Sequence, residues 1–214
     1  MSGRSQLVRH GLHLSVFTVA WNVLEGVVAI VSGMIAGSVA LVGFGVDSFV
    51  ETASGIVVGW RFSYEMRGRS REQAEKAELW ASRLAGFLLL ALAVYLLVDS
   101  ARRLAGFGRE PAPSLAGMAM TGISLVVMPL LARAKLKTAV ELGSKALHAD
   151  AYETITCVWL SATTLAGLLL NAALGWWWAD PLAALALIPL IVREGLEGLR
   201  GETECGGSET HGEA

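Results

Sequence analysis

The sequence predicts an all-α polytopic membrane protein, a bundle of six transmembrane helices, on three observations. Hydrophobic residues make up 54% of the chain and the mean hydropathy is +0.54. The 17 basic and 19 acidic residues sit mostly between apolar blocks. At about 20 residues per span with short loops, 214 residues hold about six spans and leave no room for a second soluble domain. Only two cysteines occur, Cys157 in an apolar run and Cys205 in a polar tail, which argues against a disulfide framework.

Each span follows from the apolar pattern. Residues 1–12 form a short cytoplasmic segment, and the first span runs from about His13 to Ala36. Its apolar run continues through Glu25 with no Ala-x-Ala cleavage site, so it reads as a retained span rather than a signal peptide. Only Gly37 and Ser38 separate it from the second span, which ends near Trp60, so the two form a tight hairpin. Gly33, Gly37, Gly43, Gly45, Gly55 and Gly59 suit close helix packing where lipid supplies no hydrophobic drive. A charged connector from Arg61 to Glu78 follows; its basic residues alternate with Glu65, Glu72, Glu75 and Glu78, which favours a cytoplasmic loop over nucleic-acid binding.

The third span covers about Leu79 to Ala101, with Asp99 one turn from Arg102 and Arg103 as pairing partners. The fourth runs from Pro113 to Ala132, with Pro129 expected to kink or end it. Arg133, Lys135, Lys137 and Lys145 then fall on a cytoplasmic loop. The fifth span extends from Asp150 to Leu174, followed by Trp176 to Trp178 at the outer interface, and the sixth from Pro181 to Leu199. The sixth holds only 12 uncharged residues before Arg193, so it relies on snorkelling or lies mostly against protein. Residues 201–214 are an acidic, Gly- and Ser-rich tail expected to be disordered and cytoplasmic. With both termini inside, 14 of the 17 Lys and Arg fall on the inner segments, as the positive-inside rule requires of a multi-pass protein of the inner (plasma) membrane.

Chemistry enters through polar residues inside the spans. Asp47 and Glu51 lie four apart in the second span and project from one face. A charged acid at membrane depth costs about 2.5 to 3.5 kcal/mol on insertion scales, so two stacked acids demand a partner. A divalent cation is the economical one; the alternatives are a polar helix-packing face or pairing with basic residues, and no Lys or Arg lies in the same apolar stretch. Glu153 and Cys157 repeat the i, i+4 arrangement on the fifth span. Asn22 and Glu25 share a face of the first span, as a proton relay, as a fifth ligand, or as a packing hydrogen bond to the second span. His148 stands at the cytoplasmic mouth, where it either guides ions inward or is simply solvated. The spacing of Cys205 and His211 matches no recognisable metal site.

The stretches SVALVGFGVDSFVE, SKALHADAYETITC and GWWWADPLAALALIPLIVREGLEGLR resemble the membrane domain of the cation diffusion facilitator family, over roughly residues 12 to 200. The resemblance implies a six-helix antiporter that exports zinc or a similar divalent ion in exchange for protons, usually as a homodimer, with four ligands from spans two and five. Asp47 matches the first second-span ligand. Glu51 stands where the family usually has Asp, the usual His-x-x-x-Asp or Asp-x-x-x-Asp of span five is absent, and the family's soluble C-terminal domain is missing, as in a short form of the family. Counting back from Trp178-Ala179-Asp180-Pro181, the usual span-five pair falls within about one residue of Glu153 and Cys157. At about 1.5 Å per residue, Asp150 lies roughly 10 Å nearer the cytoplasm than Cys157, so it reads as an entrance residue; the alternative register makes Asp150 a ligand and Cys157 a small buried packing residue.

Three carboxylates and a thiol around one ion favour Zn, Cd, Co or Fe over Mg and Ca. Such a set, poorly solvated, holds protons when empty and releases them as a cation binds, which is proton antiport; rocking of helix groups about a midplane site then exchanges its exposure. No tightly bound cofactor, hydrolytic dyad or nucleic-acid site is expected. The competing class is a non-transporting membrane metal sensor or assembly partner.

Overall fold

A computed structural model describes residues 3–66, 71–107 and 110–200. Among them are six α-helices and no strand: α1 (Gly3–Ala36), α2 (Val39–Met66), α3 (Arg71–Leu104), α4 (Leu115–Leu142), α5 (Lys145–Leu174) and α6 (Ala179–Arg200). Among the described residues, four helices, α1, α2, α4 and α5, are long and apolar enough to cross a membrane. Large apolar side chains such as Val16, Phe17 and Val31 of α1, Phe87 and Val94 of α3, Val126 of α4 and Trp159 of α5 face outward. Asn22, Glu25, Asp47, Glu51, Lys135 and Asp150 are buried. That inversion of the water-soluble pattern is what an apolar solvent imposes.

The turns explain how the helices line up. Gly37 takes a left-handed φ of 66° and the Ser38 amide donates to the Gly33 carbonyl, so α1 reverses into α2 across two residues. Gly143, with φ 61°, closes α4 in the same way, and the Ser144 hydroxyl accepts from the Leu147 amide to cap α5. Both hairpins are therefore antiparallel and in fixed register. The α2 helix occupies the middle, packed against α1, α3, α5 and α6, while α3 lies along α6.

Several expected boundaries move. The fourth helix does not end at Pro129 or Ala132 but continues to Leu142, so Arg133, Lys135 and Lys137 belong to α4 and not to a loop. The connector is shorter than expected, because α2 runs on through Arg61 to Met66 and α3 begins at Arg71. The first helix starts at Gly3, ahead of His13. The tail with Cys205 and His211 lies outside the described residues.

Glycines set the closest approaches, as small residues do between membrane helices. A Cβ on Gly45 would lie 2.9 Å from the Ile30 backbone nitrogen across the α1–α2 contact. One on Gly86 would lie 2.5 Å from the Gly195 carbonyl oxygen and 2.7 Å from the Leu199 nitrogen, where α3 meets α6. Gly122 of α4 has open space around it. Gly86→Ala is therefore expected to destabilise by about 1–3 kcal/mol through overpacking against backbone, and Gly122→Ala to stabilise by about 0.5–1 kcal/mol through helix propensity. Thermal unfolding of the two variants in detergent checks the opposite signs.

Candidate intramembrane cation site

The polar centre lies where α2, α4 and α5 meet, at a depth the Gly143–Ser144 turn fixes. Lys135 is seven residues inside the end of α4, about 10 Å along the helix, and Asp150 and Thr154 come back to meet it from α5. Lys135 Nζ lies 2.9 Å from Asp150 Oδ2, 3.6 Å from Glu51 Oε1 and 2.8 Å from Thr154 Oγ1. The Thr154 hydroxyl in turn donates to Glu51 Oε1. Lys135, Asp150 and Thr154 are wholly buried and Glu51 nearly so. The cation that the sequence places on a loop is thus inside the bundle, and the absence of Lys or Arg from the second span did not leave its acids without a basic neighbour.

The expected ligands are strung along the α2–α5 contact. Cys157 is fully buried beside Glu51, and Glu153 lies one turn nearer the start of α5, beside Ser54. Asp47, buried one turn from Glu51 on α2, is within electrostatic reach of Glu51, Glu153 and Glu25. Among the described residues, no three His, Cys, Asp or Glu side chains converge tightly enough to hold an ion at once. Glu51 Oε2 and Glu153 Oε2 have no hydrogen-bond partner among the described residues, so each keeps an acceptor available. Asp150, expected at an entrance, is wholly buried against Lys135.

The accessory residues separate. Asn22 and Glu25 of α1 are fully buried, with no hydrogen bond among the described residues, and Glu25 faces Ser124 of α4 and the Trp21 ring. His148 is half-buried near the start of α5, its ring 5.0 Å from that of Tyr152. Two residues of the centre escaped the sequence reading. One is Lys135. The other is Glu194 of α6, half-buried beside Thr156 and within electrostatic reach of Asp47. Helical spacing carried a signal for both: Lys135 continues the buried line Ser124, Met128, Leu131, and Glu194 continues Asp180, Leu187, Ile191.

At the far end of the bundle, away from the N terminus, polar ties join the loops. The buried Asp180 carboxylate of α6 accepts from the Val39 amide at 2.8 Å and from the Ser38 hydroxyl, capping α2 across the bundle. Arg103 pairs with Asp99 at 2.8 Å, as the sequence suggests, and also donates to the Gly37 carbonyl. Asn171 donates to the Pro111 carbonyl at 2.7 Å, and the Ala112 amide to Ala36 at 2.8 Å.

An all-helical bundle with an apolar exterior and acids gathered around a buried lysine is an integral membrane protein with a centre made for charge. The chain belongs to the cation efflux family: the family described as the cation efflux transmembrane domain matches residues 15–201. It is also 30% identical over 159 residues to an uncharacterized transporter of Synechocystis sp.. That alignment covers 72% of this chain and 50% of the relative, so the chain spans about half the length of the curated relative it matches.

Asp180→Ala leaves the buried Val39 amide and Ser38 hydroxyl without their acceptor, at a cost of about 1–3 kcal/mol for each orphaned donor. The expected outcome is a lower unfolding midpoint together with faster amide exchange over Val39 to Leu41, measured by hydrogen–deuterium exchange in detergent.

Proposed function

We infer that the chain carries a divalent metal cation out of the cytoplasm in exchange for protons, with Asp47, Glu51, Glu153 and Cys157 as its ligands. The observation that carries this reading is the pair of buried acids on α2, beside a third acid and a thiol on α5, in a chain of the cation efflux family. Six spans with both termini inside suit it. At about 1.5 Å per residue α6 is about 33 Å long, enough for a hydrocarbon core of about 30 Å, and α3 is longer still. Zinc or cadmium is the favoured substrate, with cobalt and iron next, because three carboxylates and one thiol make a borderline donor set. A homodimer within the bilayer is the assembly this reading carries.

Mechanistically, the acids need a proton or a cation whenever they are out of water, so metal arrival displaces protons and metal departure lets them rebind. The α2–α5 contact bears the ligands, and a shift of α1–α2 against α4–α5 would gather Asp47, Glu51, Glu153 and Cys157 around one ion or spread them along the helices. His148, half-buried near the start of α5, lies where an ion from the cytoplasmic face would first meet the helix, and Asp150 lies deeper, against Lys135.

In proteoliposomes, Asp47→Ala is expected to abolish zinc uptake while leaving insertion and thermal stability intact. Wild-type flux is expected to rise with an opposing proton gradient. Retained flux in the variant sinks the site, whereas wild-type flux indifferent to the gradient points to a channel. Metal binding with no flux under either condition points instead to the sensor or assembly role. Cys157→Ser, which exchanges a soft ligand for a hard one, is expected to weaken zinc and cadmium transport much more than cobalt or iron transport. Parallel uptake of the four metals checks the order.

A further inference from the structure

Lys135 is more than the cationic half of a structural pair. Its ammonium is wholly buried, 2.9 Å from Asp150 Oδ2 and 2.8 Å from Thr154 Oγ1, with Glu51 Oε1 at 3.6 Å as a longer ion-pair contact. Two of those oxygens are carboxylates, and one belongs to Glu51, whose other oxygen remains open. The ammonium therefore holds a place among hard oxygen donors of the kind a metal ion takes. Thr154 is shared between Lys135 and Glu51, so the lysine also reaches Glu51 through a hydroxyl.

We propose that Lys135 is a tethered competitor for the transported ion, an ammonium that neutralises Glu51 in the metal-free carrier and must give way when a divalent cation binds. The proposal rests on the transport reading above and deepens it. A divalent ion bound to either Glu51 oxygen comes within a few ångströms of Nζ, where repulsion is strong because little water screens it. Asp150 is the counterweight. It lies closer to Nζ than Glu51 does and draws the ammonium away as the metal arrives. When the metal leaves, Lys135 returns to Glu51, which speeds release and leaves no buried carboxylate bare. A helix strap with no part in ion exchange would make the same contacts, but it makes opposite predictions for kinetics.

Four proteins decide between them: wild type, Lys135→Gln, Asp150→Asn and the double variant, each assayed for Zn2+, Cd2+ and Co2+ uptake in proteoliposomes. Removing the ammonium is expected to lower the metal KM by about tenfold or more, a factor worth about 1.4 kcal/mol, and to lower kcat with it because nothing displaces the departing ion. Asp150→Asn alone is expected to raise KM, since it turns the whole ammonium onto Glu51. In the Lys135→Gln background, Asp150→Asn is expected to change little, because its effect runs through the lysine. Lys135→Gln alone leaves two buried carboxylates uncompensated and can fail to fold. The double variant removes the close pair as a neutral unit and carries the test by itself. Its KM falling together with kcat supports the proposal. A KM at or above the wild-type value, in a protein that still transports, overturns the proposal and leaves the transport reading standing. If Asp150→Asn raises KM equally with and without Lys135, Asp150 acts on the ion directly and the competitor role is overturned. Uptake of none of the three metals by wild type overturns the transport reading, and this proposal with it.

Discussion

One buried ammonium ties the centre of the molecule together. Lys135 belongs to α4, its nearest anion to α5 and its second anion to α2, so three helices share one electrostatic centre. In a buried centre, a lysine or carboxylate left alone costs far more than the pair, so the register of α4 against α5 and of α5 against α2 is fixed by charge as well as by shape. The Gly143–Ser144 reversal makes that register possible, since a longer loop would let α5 slide by a residue and turn Asp150 away from Lys135. Local backbone conformation, helix register and the chemistry of the centre are one constraint read at three scales.

Around this centre the packing divides into pairs. The α1–α2 contact is close enough that Gly45 meets the Ile30 backbone, and α3–α6 brings Gly86 against Gly195. Such contacts leave no slack for one partner to move against the other. Polar contacts run both within and between the pairs: Lys135 to Asp150 holds α4 to α5, Glu51 to Thr154 joins the α1–α2 hairpin to the α4–α5 hairpin, and Glu194 approaches Asp47 from α6.

The helices were legible because apolar runs in a membrane protein announce themselves, and the acid pair Asp47–Glu51 with its counterpart Glu153–Cys157 was legible from i, i+4 spacing. Lys135 was not, because it stands between Arg133 and Lys137 in a run that looks like a solvated loop. Hydropathy averaged along the chain treats every residue as facing lipid, and so it ends the fourth helix at Ala132. The structure separates the three: Arg133 and Lys137 are exposed, while Lys135 continues the buried face of Met128 and Leu131. Helical phase held the information that average polarity concealed. Glu194 was lost similarly, behind the exposed Arg193. The partner that keeps Lys135 inside comes from another helix, and no window along a single segment contains it.

The ties at the far end act as a set. Asp180 and Arg103 both bind the α1–α2 turn and Asn171 binds the loop before α4, so that end is laced by bonds that break singly but act together. Admitting water there requires the Val39 amide and the Gly37 carbonyl to exchange protein partners for solvent ones, and the whole α1–α2 corner to come free of α6. That end is therefore held by bonds reaching it from three different helices, and opening it costs the loss of several of them at once rather than of any single one.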